Sequence, residues 1–216
     1  MKKSVLIATM MLLLLPIQFS YAQTEKYVIY PVPHSMTMND GSTKMTGKVN
    51  VVCESTIDKI TKDRLTSVLA VHGIETVFEG TDENSLTICL GTIGSGESVE
   101  SHAINELGLT TSRILVSKKY DRHAIKVHEN GVTVLGEHTN AVFCALASLE
   151  QMLEQVDDNT LSHSTIYDYA DQQNRGLVEG YYGYPYSVEV KKDLMRFMMR
   201  YKMNTYMFGA KSDPYH

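Results

Sequence analysis

The sequence predicts an α+β domain followed by the opening of a (β/α)8 barrel, and three observations carry this prediction. Strand patterns and helical patterns are mixed over the first two thirds of the chain. Asn130-Gly131 lies between two alternating apolar runs, which is a strong hairpin signal. From Arg175 onward the order is strand, aromatic loop, helix, strand and polar loop, as at the start of a barrel. Of the 216 residues, 41 follow Arg175, against ~250 for a whole barrel, so only an incomplete start is expected.

The first 22 residues have the pattern of a secretory signal peptide. Lys2 and Lys3 precede an apolar run over residues 5–17, and Ser20-Tyr21-Ala22 places small residues before a cleavage point. The run is shorter than the ~20 apolar residues of a membrane span. The pattern therefore predicts a bacterial protein that is periplasmic or secreted, with no membrane span once the signal peptide 1–22 is removed.

Composition and charge exclude some partners. Hydrophobic residues make up 43% and charged residues 21%, as in ordinary globular proteins. Without Lys2 and Lys3 the net charge of −5 becomes −7, and the other basic residues are scattered. This argues against a nucleic-acid partner. The glycine-rich segment 91–96, GTIGSG, lacks the lysine and hydroxyl residue of a phosphate loop, so no cofactor is predicted.

The domain before the barrel is built from recognisable elements. Residues 26–33 form a short apolar segment with two prolines, interpreted as an edge strand. Apolar runs predict further strands at 48–53, 74–78, 86–90, 124–128, 132–136 and 165–169. Helical spacing predicts helices over 56–71, which Gly73 ends, and over Thr139–Leu153, where Thr139 or Asn140 can cap the first turn. Residues 156–163 are interpreted as a polar linker.

Cysteine and histidine do not indicate a disulfide framework or a metal site. Cys53, Cys89 and Cys144 are odd in number and widely spaced, so they are interpreted as small buried side chains. A single disulfide between two of them is the alternative interpretation in an oxidising compartment. Four histidines lie in or beside the hairpin and the linker: His123, His128, His138 and His163. None has the helical i, i+4 pairing of a zinc site, so no metal is predicted.

The last part of the chain contains residues that suit a sugar. Residues 176–179 predict a strand, 188–199 a helix with Ser187 as its N-cap, and 203–208 a second strand. Gly180 at the strand end lets a ligand approach the backbone, and the tyrosines after it can stack on a sugar ring. An aromatic turn packed on the neighbouring domain fits the same tyrosines equally well. Lys211, in the second loop, can donate to a sugar hydroxyl or lie solvated on the surface.

Two segments carry a family resemblance. RGLVEGYYGYPY (175–186) and KMNTYMFGAKSDPYH (202–216) resemble the barrel opening of glycoside hydrolase family 84. That family comprises β-N-acetylglucosaminidases, including O-GlcNAc hydrolases and bacterial hyaluronoglucosaminidases. GVTVLGEHTNAVFCALASLEQML (131–153) resembles the end of the α+β domain that precedes the barrel in this family and in related hexosaminidases. The resemblance implies a hexosaminidase-type (domain-2-like) α+β N-terminal domain over 23–165 and the incomplete start of the catalytic (β/α)8 TIM barrel over 171–216.

The resemblance also implies a site and a reaction. Gly180 and Lys211 correspond to positions that hydrogen-bond a terminal N-acetylglucosamine (GlcNAc), and Tyr181 and Tyr182 line the same pocket. The implied reaction is retaining and substrate-assisted: the 2-acetamido oxygen attacks the anomeric carbon. One aspartate orients the acetamido group, and the next in sequence protonates the leaving oxygen. That aspartate pair belongs on a later barrel strand beyond His216, so no catalytic residue is assigned here and the chain alone is expected to be inactive.

Two functions stay open at this point. The first is the N-terminal portion of a secreted β-N-acetylglucosaminidase acting on terminal GlcNAc of glycans or glycoproteins. The second is a non-catalytic carbohydrate- or protein-binding module derived from such an enzyme. Asp157-Asp158 is an adjacent pair, but it precedes the barrel segment and does not replace the missing one. An enzyme of the related hexosaminidase family is disfavoured by the EGYYG and KSDPYH loops. The sequence leaves the natural glycoconjugate and the oligomeric state open.

Overall fold

The computed structural model describes residues 27–80, 85–180 and 185–208, and a mixed seven-stranded sheet is its largest element. The strands of this sheet are β1 (Ser35–Lys44), β2 (Lys48–Cys53), β3 (Glu75–Phe78), β4 (Thr87–Thr92), β5 (Tyr120–His128), β6 (Gly131–Gly136) and β7 (Thr160–Ala170). They lie in the order β1-β7-β5-β6-β4-β2-β3. The β1, β7, β5 and β6 neighbours pair antiparallel, and the β6, β4, β2 and β3 neighbours pair parallel.

Helices cover both faces of the sheet. They are α1 (Lys59–Val71), α2 (Ser98–Asn105), α3 (Thr111–Ile114) and α4 (Thr139–Leu153). Side chains of α1 and α4 pack with Ile125 and Val134 in the larger core. The neighbouring residues Ala124 and Leu135 point the other way and pack with α2 and α3 in a smaller core. The central strands are therefore buried on both faces, and the predicted α+β class is confirmed.

Several predicted elements are confirmed closely. Helix α4 has the predicted bounds, although the His138 ring, and neither Thr139 nor Asn140, accepts the capping N–H of Ala141. The hairpin joins β5 to β6 in the predicted place, with His128 opposite Gly131. Helix α1 begins three residues later than predicted, because the Asp58 carboxylate caps its first turn.

The predicted strand over 26–33 is wrong in its described part. Residues 27–33 form no strand. The Tyr30 N–H donates to Gln151 Oε1 at 2.8 Å, and the Gln151 amide donates back to the Tyr30 carbonyl at 2.8 Å. Pro31 and Pro33 cannot donate to a strand ladder, and the Gln151 side chain of α4 pairs with the Tyr30 backbone instead.

An unpredicted strand, β1, follows that segment and pairs antiparallel with β7. Its register shifts between Met38 and Ser42, which marks a bulge around the Asn39-Asp40-Gly41 turn sequence. Strand β7 begins at Thr160, so it takes in residues that had been interpreted as the polar linker. Both errors concern polar residues at one edge of the sheet.

A second, two-stranded sheet follows. Strands β8 (Gly176–Val178) and β9 (Thr205–Met207) pair parallel, with helix α5 (Val188–Arg200) between them along the chain. The Ser187 hydroxyl caps α5 by accepting from the Val190 N–H, as predicted. This strand–helix–strand unit is the repeat from which a (β/α)8 barrel is built.

The three cysteines are free thiols. Burial raises the pKa of Cys53 and of Cys144 to about 11, and burial also raises the pKa of Cys89. The thiols are therefore protonated near neutral pH and are poor nucleophiles.

Candidate functional site

The parallel pairing of β8 and β9 brings the ends of both strands to one edge. The Glu179 N–H donates to the Met207 carbonyl at 2.9 Å, one residue beyond the last pair of strand residues. At the start of the pair, a Cβ on Gly176 would lie 1.5 Å from the Thr205 carbonyl oxygen, so only glycine allows this approach. Gly180 and Phe208 come next along the chain, so both lie directly after the paired strand ends.

The Glu179 side chain connects three elements at this edge. One carboxylate oxygen accepts the Tyr186 N–H at 2.7 Å, which joins the strand end to the residue before the α5 cap. The other accepts the Tyr206 hydroxyl of β9 at 2.6 Å. Lys191 of α5 lies 3.5 Å from the same oxygen. The Glu179 side chain is only 2% exposed.

These contacts fix the charge of Glu179. Burial acts to raise the pKa of its carboxyl, but the Tyr206 hydroxyl, the Tyr186 N–H and Lys191 outweigh burial and hold that pKa below the ordinary value. Burial and the hydrogen bond to Glu179 raise the pKa of Tyr206 to about 12. Near neutral pH the site therefore holds a carboxylate and a neutral phenol.

The Lys191 ammonium has a second neighbour. It lies 3.8 Å from the centre of the Phe208 ring, the first residue after β9. A cation over an aromatic face is attracted by the ring's negative potential. Lys191 thus contacts both strand ends, at Glu179 and at Phe208.

The structure describes one of the four predicted substrate-contacting residues. Gly180 is exposed and directly follows Glu179. Tyr181, Tyr182 and Lys211 lie outside the described residues, as does the predicted signal peptide. Their proposed role in sugar binding stays a prediction.

Sequence reasoning missed the residues that hold this edge together. Glu179, Tyr206 and Lys191 were not singled out for a site. The available signal was Glu179 itself, because a charged residue at the end of an apolar strand needs polar partners when it is buried. Recognising its partners requires the parallel register of β8 and β9, which joins residues 27 apart in the chain.

Neither Glu179 nor Asp158 has the environment of a glycosidase general acid. A general acid needs a carboxyl with a raised pKa, whereas the pKa of Glu179 is lowered and its oxygens accept internal hydrogen bonds. Asp158 of the adjacent pair Asp157-Asp158 is an exposed side chain that pairs with Lys44 at 3.2 Å. Its pairing with β1 and its exposure suit a solvated turn.

The glycine-rich loop has no free cradle for a phosphate. The Glu100 carboxylate accepts the Gly94 N–H at 2.6 Å and the Gly96 N–H at 2.8 Å. Backbone N–H groups of this kind bind phosphate in nucleotide sites. In this chain an internal carboxylate occupies them.

Residues 27–80, 85–180 and 185–208 contain no group of three or more histidine, cysteine or acidic side chains that is placed to hold a metal ion. No helix in the same ranges is both long enough and apolar enough to cross a membrane.

Family comparisons assign the chain. Residues 26–169 match the model of glycosyl hydrolase family 20, domain 2. The chain belongs to this family of domains. Residues 175–216 match the beta-N-acetylglucosaminidase model. The second match begins at the arginine before β8 and covers the whole segment that carries Glu179 and Gly180.

Solved structures agree with this domain family. CpGH84D is 36% identical with a TM-score of 0.81, over 88% of this chain and 32% of that one. CpGH84B is 24% identical with a TM-score of 0.72, over 88% of this chain and 31% of that one, and shares the fold. An exo β-N-acetylglucosaminidase of family 20 from Vibrio harveyi, 18% identical with a TM-score of 0.64, also shares the fold, over 86% of this chain and 26% of that one.

Two curated relatives match a short stretch of the chain. Protein O-GlcNAcase from Rattus norvegicus is 42% identical over 41 residues, which are 19% of this chain and 4% of that protein. The Mus musculus protein of the same name matches equally. The chain thus spans a small part of these relatives and about a third of CpGH84D. The predicted resemblance to the N-terminal portion of a family 84 hexosaminidase is confirmed.

Proposed function

We propose that this chain forms the sugar-binding opening of a retaining, substrate-assisted β-N-acetylglucosaminidase that removes terminal GlcNAc from glycoconjugates. The observation that supports it most directly is the parallel β8–β9 pair, which brings exposed Gly180 and the start of the second loop to one edge. Substrate loops lie at the carboxyl ends of the strands in barrel enzymes. The match of 175–216 to a beta-N-acetylglucosaminidase model covers both loops.

Each proposed contact has a chemical role. The backbone at Gly180 lets a sugar hydroxyl approach without meeting a side chain. Lys211 donates a charge-assisted hydrogen bond to another hydroxyl. Tyr181 and Tyr182 offer aromatic faces for the apolar side of the ring. Glu179 is proposed to hold the first loop rather than to react.

We propose that these 216 residues bind GlcNAc without hydrolysing it. Substrate assistance still needs two carboxylates, one to orient the acetamido group and one to move protons. Glu179 is fully hydrogen-bonded and Asp158 lies at an exposed turn, so neither fits these roles. Residues 1–22 are proposed to direct the protein to the periplasm or beyond, which the N-terminal mass of the mature protein would test.

The test combines a binding assay and an activity assay on residues 23–216. We expect GlcNAc to shift the Gly180 amide resonance, and glucose, which lacks the acetamido group, to shift it less. Lys211→Ala should weaken GlcNAc binding at least fivefold, and Lys192→Ala, at an exposed position on α5, should not. Equal shifts with both sugars would contradict the substrate assignment. Release of nitrophenol from an aryl GlcNAc glycoside between pH 4 and 8 would contradict the proposed inactivity.

A further inference from the structure

The β8–α5–β9 unit buries few of its apolar side chains. Met198, which is 6% exposed, is the buried residue that α5 contributes to the described core. Other large apolar side chains of the unit are exposed: Val178, Val188, Val190, Met195, Phe197, Met199, Met207 and Phe208. Such a unit needs other contacts to stay in place, because a pair of three-residue strands is not stable by itself.

Polar contacts join the start of β8 to the large sheet. The Arg175 guanidinium pairs with Asp121 at the start of β5, and both side chains are mostly buried. Arg175 Nε also donates to the Lys202 carbonyl at 3.0 Å, just ahead of β9. The Arg175 carbonyl accepts the Thr205 N–H at 2.9 Å. Arg175 therefore connects β5 with the starts of both strands of the unit.

A second ion pair holds the start of β9. Lys202 Nζ lies 2.6 Å from Asp168 Oδ2 of β7, and both side chains are buried, 7% and 5% exposed. The other Asp168 oxygen accepts from the His34 ring at 3.0 Å and from the Tyr169 N–H at 2.9 Å. The carboxylate is thus nearly saturated. Removing the lysine would leave a buried, uncompensated charge.

The end of α5 is held in the same region. Arg64 of α1 donates to the Met199 carbonyl at 3.0 Å, and Gln151 of α4 donates to the Arg200 carbonyl at 3.0 Å. These are carbonyls of the last helical turn, which lack the usual intrahelical donor; the Met199 carbonyl also accepts the Lys202 N–H at 3.4 Å. A cationic donor there also interacts favourably with the helix dipole. Side chains of α1 and α4 therefore cap α5.

These contacts share one geometry. They lie at the starts of β8 and β9 and at the end of α5, which is one end of the strand–helix–strand unit. Glu179 and Gly180 lie at the opposite end. Among the described residues, the contacts named above therefore lie at the end of the unit that carries no proposed substrate loop.

We propose that Asp121 and Asp168 are positioning residues, and that the large sheet is a docking platform that fixes the β8–α5–β9 unit through its strand starts. The junction consists of Asp121, Asp168, Arg175 and Lys202. By fixing the strand starts it fixes the register of β8 against β9, and with it the edge formed by Glu179. The proposal concerns the chain itself and does not depend on which sugar binds.

The first test is residue-resolved hydrogen exchange on the full chain with Lys202→Met. We expect exchange of the Glu179 and Thr205 amides to accelerate at least tenfold, and exchange of the Val134 amide in the large sheet to change less than twofold. Lys192→Met, an exposed lysine on α5, is the matched control and should alter none of these rates. Lys202→Arg, which keeps the charge, should restore most of the protection.

Two outcomes overturn the proposal. One is an unchanged Glu179 exchange rate in Lys202→Met. The other is equal acceleration of all amides, which indicates general destabilisation and no specific junction.

The Asp121–Arg175 pair gives a second test at less buried positions, for use if Lys202→Met does not fold. Asp121→Arg and Arg175→Asp should each accelerate Glu179 exchange, and the double charge exchange should restore at least half of the lost protection. If the double variant exchanges as fast as the single variants, the ionic junction is refuted.

Discussion

His123 makes the stability of this protein dependent on pH. Its side chain is 1% exposed, and its Nδ1–H donates to the Asp121 carbonyl at 2.7 Å. Nε2 has no hydrogen-bond partner and lies 3.9 Å from Asp168 Oδ2. Burial lowers the pKa of His123 to about 4. The Asp168 carboxylate opposes this, and Lys202 adds to it. The histidine is therefore buried in its neutral form.

The direction and size of the pH dependence of the unfolding free energy follow from this pKa of His123. Below pH 6.5 the unfolded chain binds a proton at His123, but the folded protein does not until about pH 4. The stabilisation of the folded state by neutral His123 is complete above pH 6.5, and it is lost as the pH falls towards 4. Each pKa unit corresponds to about 1.4 kcal/mol, so the whole interval is worth about 3 kcal/mol and the loss at pH 5 is about 2 kcal/mol.

Urea unfolding at pH 7 and pH 5 measures this loss. The chain contains no tryptophan, so far-ultraviolet circular dichroism is the suitable signal. His123→Gln keeps an N–H donor near the Asp121 carbonyl but removes the titration. We expect the drop in unfolding free energy between pH 7 and pH 5 to be about 2 kcal/mol smaller in His123→Gln than in the wild-type protein.

A matched variant separates His123 from another histidine. Burial also lowers the pKa of the half-buried His128 to about 4, but solvent screening reduces the free energy that this shift represents, so His128→Gln should remove a smaller part of the pH dependence. The reasoning is refuted if His123→Gln and the wild-type protein lose the same free energy between pH 7 and pH 5.

Two other substitutions test the core and the strand-end site. Leu149→Ala in α4, at a side chain with no exposure, should lower the unfolding free energy by about 3 kcal/mol, whereas Ile60→Ala, at a side chain 69% exposed, should change it by under about 1 kcal/mol. Similar losses would contradict the assignment of the core. Tyr206→Phe removes a hydroxyl from Glu179, so a carbon-13 carboxyl titration should show a higher Glu179 pKa. Tyr186→Phe keeps its backbone donor and should not raise it, and an unchanged pKa in Tyr206→Phe would contradict the proposed contact.

The central part of the fold could be predicted because its buried residues form apolar patterns that are visible within short stretches of the sequence. All six residues of β6 are buried, and the stripe on α4 has the period of a helix. Strand β1 could not be predicted, because most of its side chains are exposed and it contains Asn39-Asp40-Gly41, which predicts a turn. Its strand conformation depends on pairing with β7, at a separation of more than a hundred residues. Helices α2 and α3 are too short for a periodic signal.

The candidate site could also be predicted only in part from the sequence. Gly180 could be singled out because glycine after an apolar strand is a local signal. The contacts of Glu179 with Tyr206, and of Lys202 with Asp168, join residues 27 and 34 apart, so they exist only once two sheets are in place. A single sequence shows that such residues are charged or aromatic. It does not show which of them meet.

The two polar clusters have complementary roles in the β8–α5–β9 unit. Glu179 joins the strand ends to each other and to α5. The junction joins the strand starts to the large sheet. Because Val178 and Met207 are largely exposed, apolar packing contributes little to either end. The position of Gly180 therefore depends on an ion pair at the far end of the unit. A substitution at Asp168, which is buried between β7 and Lys202, should weaken sugar binding without touching the sugar.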